Sequence, residues 1–158
     1  MNIIKSFNET LRYMDTVLDD KIDKKRVEHL SGYSYPMFSR LFSILTDITL
    51  SEYLRNRRLS EAAACLRESE EKVIDIAIRF GYESADSFGA AFKVFHQYTP
   101  SEVRAGKPFK VYSGLQLVMN MQGGRDMNIT IQKKESFKVA GINKQDYEIG
   151  RASCRERV

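Results

Sequence analysis

Ahead of position 20, Ile4, Phe7, Leu11, Met14 and Leu18 step by three and four, the spacing that gathers apolar side chains on one face of a helix. The same period returns after each of two Gly-Tyr pairs. Phe38, Phe42 and Leu45 follow Gly32-Tyr33, and Phe88, Phe92 and Phe95 follow Gly81-Tyr82, each triplet at i, i+4 and i+7. Both triplets predict a helix with one core-facing side. Helical pattern also precedes each Gly-Tyr, in Val27 and Leu30 and in Val73, Ile74, Ala77 and Phe80. The two stretches are copies of one another. Gly32-Tyr33 recurs at an offset of 49, and Phe38, Phe42 and Ser51-Glu52 recur as Phe88, Phe92 and Ser101-Glu102 at an offset of 50. Each copy reads helix, Gly turn, helix, with one residue inserted in the second turn.

Start signals agree with this reading. Ser34 and Ser84 stand where an N-cap is needed, and Pro36 falls in a first turn, where its missing N–H has no intrahelical partner to lose. Thr49-Leu-Ser-Glu52 and Thr99-Pro-Ser-Glu102 each have the Thr-x-x-Glu form of a capping box, so a further helix begins at each. The first is expected over residues 51–66, with Leu59, Ala62, Ala63 and Leu66 as its buried stripe and no Gly or Pro to break it. Beyond Arg104, Ala-Gly-Lys-Pro marks a break. Leu115-x-Leu-x-Met-x-Met121 and Ile129-x-Ile131 then alternate around Gly123-Gly124, a strand pattern.

The outward side of the helix after Gly32 carries Pro36, Ser39, Arg40 and Ser43; that of the helix after Gly81 carries Asp86, Gly89, Ala90 and Lys93. A helix-turn-helix pair lays its second helix in the major groove of DNA. Two such pairs on one connecting helix could enter successive grooves about 34 Å apart. Arg40, central on the first exposed side, is suited to a bidentate contact with guanine or to a phosphate.

Composition narrows the alternatives. The chain has 158 residues, 42% apolar and 29% charged, enough for one or two small cores, and no apolar run long enough to span a bilayer. A net charge of +4 is too small to identify a polyanionic partner by itself. Cys65 and Cys154 form no CxxC and His29 and His96 lie far apart, which excludes zinc fingers and disulfide-stapled scaffolds and points to the cytoplasm. No HExxH, GxSxG, P-loop or GxGxxG occurs, so no enzyme and no cofactor is expected. His29 and His96 read as surface or helix-end residues, and Cys65 as a small core residue.

Residues 4 to 106 resemble the AraC/XylS family of bacterial transcription regulators. The resemblance is carried by Gly32-Tyr-Ser-x-x-x-Phe-Ser-Arg-Leu-Phe42, Leu50-Ser-Glu-Tyr-Leu-Arg-x-x-Arg-Leu59, Ile74-x-x-Ile-Ala77 with Phe80-Gly-Tyr82, Ser87-Phe-x-x-Ala-Phe-Lys93, and Thr99-Pro-Ser-Glu102 with Arg104. It implies a mainly α fold, a seven-helix double helix-turn-helix domain over 1–106, with modules at 22–45 and 72–96. It places Pro36, Ser39 and Arg40, and in the second module Asp86, Ser87 and Ala90, at base-contacting positions. Ser34, Ser43, Arg55, Arg58 and Lys93 are the expected phosphate contacts. The implied partners are double-stranded promoter DNA and RNA polymerase. The family usually has a polar residue where Ala90 stands, so the second module is expected to read DNA weakly. Glu28 occupies a place that is commonly small, and its carboxylate must reach solvent or a cation such as Arg40.

Residues 107–126 read as linker and first strand. Met119 to Ile142, with Gly123-Gly124, Met127-Asn-Ile-Thr-Ile and Phe137-Lys-Val-Ala-Gly141, resembles the opening of a GyrI-like effector-binding domain, whose start is placed at 127–147. That resemblance implies a small-molecule effector and a truncated α+β sensor. Residues 148–158 resemble translated sequencing adapter, an artefactual tail. The alternative to DNA reading is a helical protein-interaction module, or an antirepressor-like ligand-binding protein without DNA binding.

Overall fold

The computed structural model describes residues 3–122 and 126–133. The expectations for Phe137–Gly141 and for residues 148–158 lie outside the described residues. Among these residues the chain forms seven helices and one antiparallel strand pair. They are α1 (Ile3–Thr16), α2 (Lys24–Ser31), α3 (Tyr35–Thr46), α4 (Leu50–Glu68), α5 (Val73–Arg79), α6 (Ala85–His96), α7 (Pro100–Arg104), β1 (Leu115–Gln122) and β2 (Asp126–Lys133). The fold is mainly α, as the apolar periods predict. The described residues fall into two compact units, one holding 3–17, 21–54, 113–122 and 126–133, the other 18–20 and 55–112.

In the first unit Phe7, Leu11 and Met14 of α1 meet Val27 of α2, Phe38 and Phe42 of α3, and Leu50, Tyr53 and Leu54 of α4, all buried. Aromatic rings tie the elements together: Phe7 lies 5.1 Å from Phe38 and 6.3 Å from Phe42, and Phe42 lies 5.2 Å from Tyr53. Strand β1 belongs to this core through Leu115 and Leu117. Its backbone is held by side chains of the helices. Asn8 donates to the Leu117 carbonyl at 2.8 Å and accepts from its N–H at 2.7 Å. The buried Tyr53 hydroxyl accepts from Leu115 N–H and donates to the Asp15 carboxylate. Strand β2 pairs with β1 in the register Leu117 to Ile131 and Met119 to Ile129.

In the second unit the buried residues are Leu59, Ala62, Ala63, Cys65 and Leu66 of α4, Ile76, Ala77 and Phe80, Phe88, Phe92 and His96 of α6, and Val103. Cys65 is a small buried residue of this core, as its place on the α4 stripe predicts. Two arginines fasten α7 and the segment after it. Arg67 donates to the carbonyls of Val103 and Lys107, and Arg104 to those of Leu66 and Glu71. Arg79 pairs with Glu71, and that guanidinium holds the Glu71 carboxyl below the ordinary carboxylate value.

The expected apolar triplets need one correction. Leu45 and Phe95 are only half-buried, because each lies in the last turn of its helix. In α6 the third buried position is His96, whose ring stacks 4.2 Å from Phe92. Its Nδ1 accepts Lys110 N–H and its Nε2 faces the Leu59 carbonyl at 3.0 Å. A neutral imidazole with its proton on Nε2 satisfies both contacts. Burial accordingly pushes its pKa below the ordinary 6.5. His96 is thus a helix-end residue, as expected, and a buried one rather than a surface one.

Candidate nucleic-acid interface

Both Gly turns have the geometry that their sequence requires. Gly32 (φ 75°) and Gly81 (φ 86°) sit in the left-handed region, where a Cβ is strained. Gly32 ends α2 with its N–H on the Glu28 carbonyl. The helices that follow end alike. Asp47 (φ 58°) and Gln97 (φ 70°), 50 residues apart, both close their helix in the left-handed conformation. The repeat therefore extends to backbone details that the side chains alone do not announce.

The two recognition helices start differently. Ser84 caps α6, its hydroxyl accepting from Ser87 N–H at 3.1 Å. Ser34 takes the N-cap place of α3 but its side chain makes no cap hydrogen bond. Glu28 does that work from α2, its carboxylate accepting Tyr35 N–H at 2.9 Å. Glu28 is exposed, so of the two destinations the sequence leaves open, solvent or a cation, it reaches solvent, and it takes this hydrogen bond in addition. The carboxylate satisfies one orphan donor of the helix start and places negative charge at the positive end of the dipole. No local sequence signal links two residues seven apart across a turn; only the fold brings them together.

Pro36 and Arg40 are exposed on α3, Ser39 and Ser43 are half-buried, and Ser34 is exposed just ahead of the helix. Ser43 turns its hydroxyl back to the Ser39 carbonyl at 3.1 Å. Arg40 makes no hydrogen bond or ion pair among the described residues, so its five donors face outward. In the second unit Asp86, Ser87, Ala90 and Lys93 are exposed on α6. Ser87 gives its hydroxyl proton to the Ser84 carbonyl, which ties it into the cap. Arg55 is exposed, whereas Arg58 donates to the carbonyls of Leu18 and Asp20. Burial raises the pKa of the Tyr82 hydroxyl, and the charges of Arg55 and Arg58 oppose that rise, so both guanidiniums lie near the second Gly turn. The sequence reading passed over Met37, Ile44 and Val94, which are exposed on the same helices. Their signal was available: Ile44 and Val94 are aliphatic, 50 apart, on faces otherwise read as polar.

Two helix-turn-helix modules with outward-facing second helices define a class of nucleic-acid-binding regulators. A helix-turn-helix domain family matches residues 29–106. The regulatory protein SoxS of Escherichia coli is 35% identical over 100 residues, covering 63% of this chain and 94% of SoxS. An AraC-type transcriptional regulator structure from Chromobacterium violaceum superposes with a TM-score of 0.57 at 22% identity, covering 63% of this chain and 89% of that one. The DNA-binding domain of AdpA, solved with a target DNA, gives 0.55 at 23%, covering 64% and 91%. The chain belongs to the AraC family of helix-turn-helix DNA-binding transcription regulators.

Proposed function

We propose that the chain reads promoter DNA through α3 and α6, with Arg40 as its principal base contact. The observation that carries this is the unpartnered Arg40 guanidinium on the outer side of α3. Pro36 and Ser39 accompany it, and Asp86, Ser87 and Ala90 form the corresponding set on α6. Asp86 can accept from a cytosine amino group but repels phosphates. Ser34, Ser43, Arg55, Arg58 and Lys93 are the proposed backbone contacts; Arg58 reaches a phosphate by keeping or exchanging its carbonyl partners. The protein acts in the cytoplasm, with RNA polymerase as a further partner and no catalysis of its own. Among the described residues no helix is long and apolar enough to cross a membrane.

The test is a titration of a promoter duplex with wild type and Arg40→Ala. The substitution should cost about 1 to 3 kcal/mol of binding, and wild-type affinity should fall steeply as salt rises. Equal affinity of the two proteins overturns the assignment. A flat affinity over salt favours a helical protein-interaction module instead.

The domain reading is 1–106 for DNA, 107–126 for linker and first strand, and the start of a GyrI-like sensor over 127–147. Support for an effector-responsive protein comes from β1, which Asn8 and Tyr53 fasten to the first DNA-reading module. A displacement of that strand by an effector would be felt by α1 and α4 directly. Sequencing the gene through codon 147 with reads that span it tests this. An open frame for roughly a hundred further residues of strand pattern supports the sensor, given ordinary domain size; a stop there removes it.

A further inference from the structure

The outer arcs of the two recognition helices carry exposed apolar side chains beside few hydrogen-bonding ones. On α3, Pro36, Arg40, Ile44 and Met37 share an arc of about 100° by helical period. Met37 is 45% exposed and Ile44 65%, and Arg40 alone of the four carries hydrogen-bond donors on its side chain. The corresponding arc on α6 holds Asp86, Ala90, Val94 and Ser87, with Val94 77% exposed. There Ser87 gives its hydroxyl proton to the helix cap and offers a base only an acceptor, beside Asp86 and two apolar side chains. Large aliphatic side chains so exposed, at equivalent places in two modules, lose apolar area to water unless something covers them.

One apolar group in the major groove distinguishes a base pair. Thymine alone presents a methyl there, on C5. Resting on the DNA reading above, we infer that Met37 and Ile44 of α3, and Ala90 and Val94 of α6, pack on thymine methyl groups. The operator half-sites are then rich in A·T pairs, and Arg40 supplies the single strongly specified guanine. Specificity of this kind comes from methyl burial and not from bidentate hydrogen bonds, so thymine and uracil are not equivalent to the protein.

The test enriches random-sequence duplexes on the full chain, then compares the enriched duplex with one in which deoxyuridine replaces each thymine. Each methyl lost from a contact should weaken wild-type binding about fourfold. The double variant Met37→Ala/Ile44→Ala, and Val94→Ala separately, should bind the thymine duplex more weakly while the ratio between thymine and uracil duplexes shrinks. Arg40→Ala should weaken binding to both duplexes and leave that ratio unchanged. Equal binding of the two duplexes by wild type overturns the inference and leaves DNA binding intact. Full retention of the thymine preference in the alanine variants also overturns it and assigns these side chains to a protein partner. Failure to enrich any sequence overturns the DNA reading itself, and this inference with it. Melting curves check that the exposed substitutions leave the fold in place.

Discussion

The two helix-turn-helix modules are built from one sequence pattern and held together by different means. Phe38 and Phe42 have their counterparts in Phe88 and Phe92, and both pairs are completely buried. Around those pairs the modules diverge. The first starts its recognition helix with a carboxylate reaching across from α2, closes its core with Phe7 and Tyr53, and includes a β-strand. The second starts its recognition helix with a local serine cap and closes its core with a buried histidine. Its last helix begins with a complete Thr99 and Glu102 capping box. The repeat preserves what a helical hairpin must bury and leaves free how each hairpin is finished. Finishing groups can vary because any donor or acceptor of the right reach satisfies an orphan backbone group.

The largest effect should come from what the modules share. Phe42→Ala and Phe92→Ala each remove a buried ring and should cost about 3 to 5 kcal/mol, read as urea unfolding. If the units are as equivalent in their cores as the repeat indicates, the two losses agree within their spread. A loss near zero at either position breaks the equivalence.

Next comes a property that only the second module has. His96 is held neutral when folded, with a pKa below its ordinary 6.5. Below about pH 6.5 the unfolded chain takes up a proton that the folded imidazole refuses. Stability is therefore complete above that pH and falls as pH drops toward the lowered folded value. The slope should approach about 1.4 kcal/mol per pH unit at most. Melting curves between pH 7.5 and pH 5 check this. His96→Gln, which can still donate and accept, should flatten that dependence, and an unchanged slope in the variant would assign it to other groups.

The smallest effects concern the helix starts. Ser84→Ala should cost about 1 kcal/mol, whereas Ser34→Ala should fall within about 0.5 kcal/mol of wild type, because its hydroxyl caps nothing. The missing cost should reappear at Glu28→Ala, at about 1 kcal/mol. Equal costs at the two serines would remove the distinction between the modules.

Much of this architecture was legible beforehand, for a physical reason. Apolar residues at a spacing of 3.6 have few alternatives to a one-sided helix, and a glycine followed by a cap residue has few alternatives to a turn. The repeat, the seven helices, the outward place of Arg40 and the capping box at Thr99 all follow from such local rules. The same rules misjudged Phe95 and His96. They locate a face to within one residue, and in the last turn of a helix only the neighbours decide which residue is covered.

Local spacing sets where helices begin, which face each one buries, and that one module occurs twice. Tertiary structure alone decided how distant polar groups are satisfied. Glu28 meets Tyr35 N–H across a turn, Asn8 meets the Leu117 backbone from 109 residues away, and His96 bridges Leu59 and Lys110. Apolar burial is additive and indifferent to partner, so it can be read from spacing. A hydrogen bond needs one particular atom at one distance and angle, and no pattern along the chain specifies that.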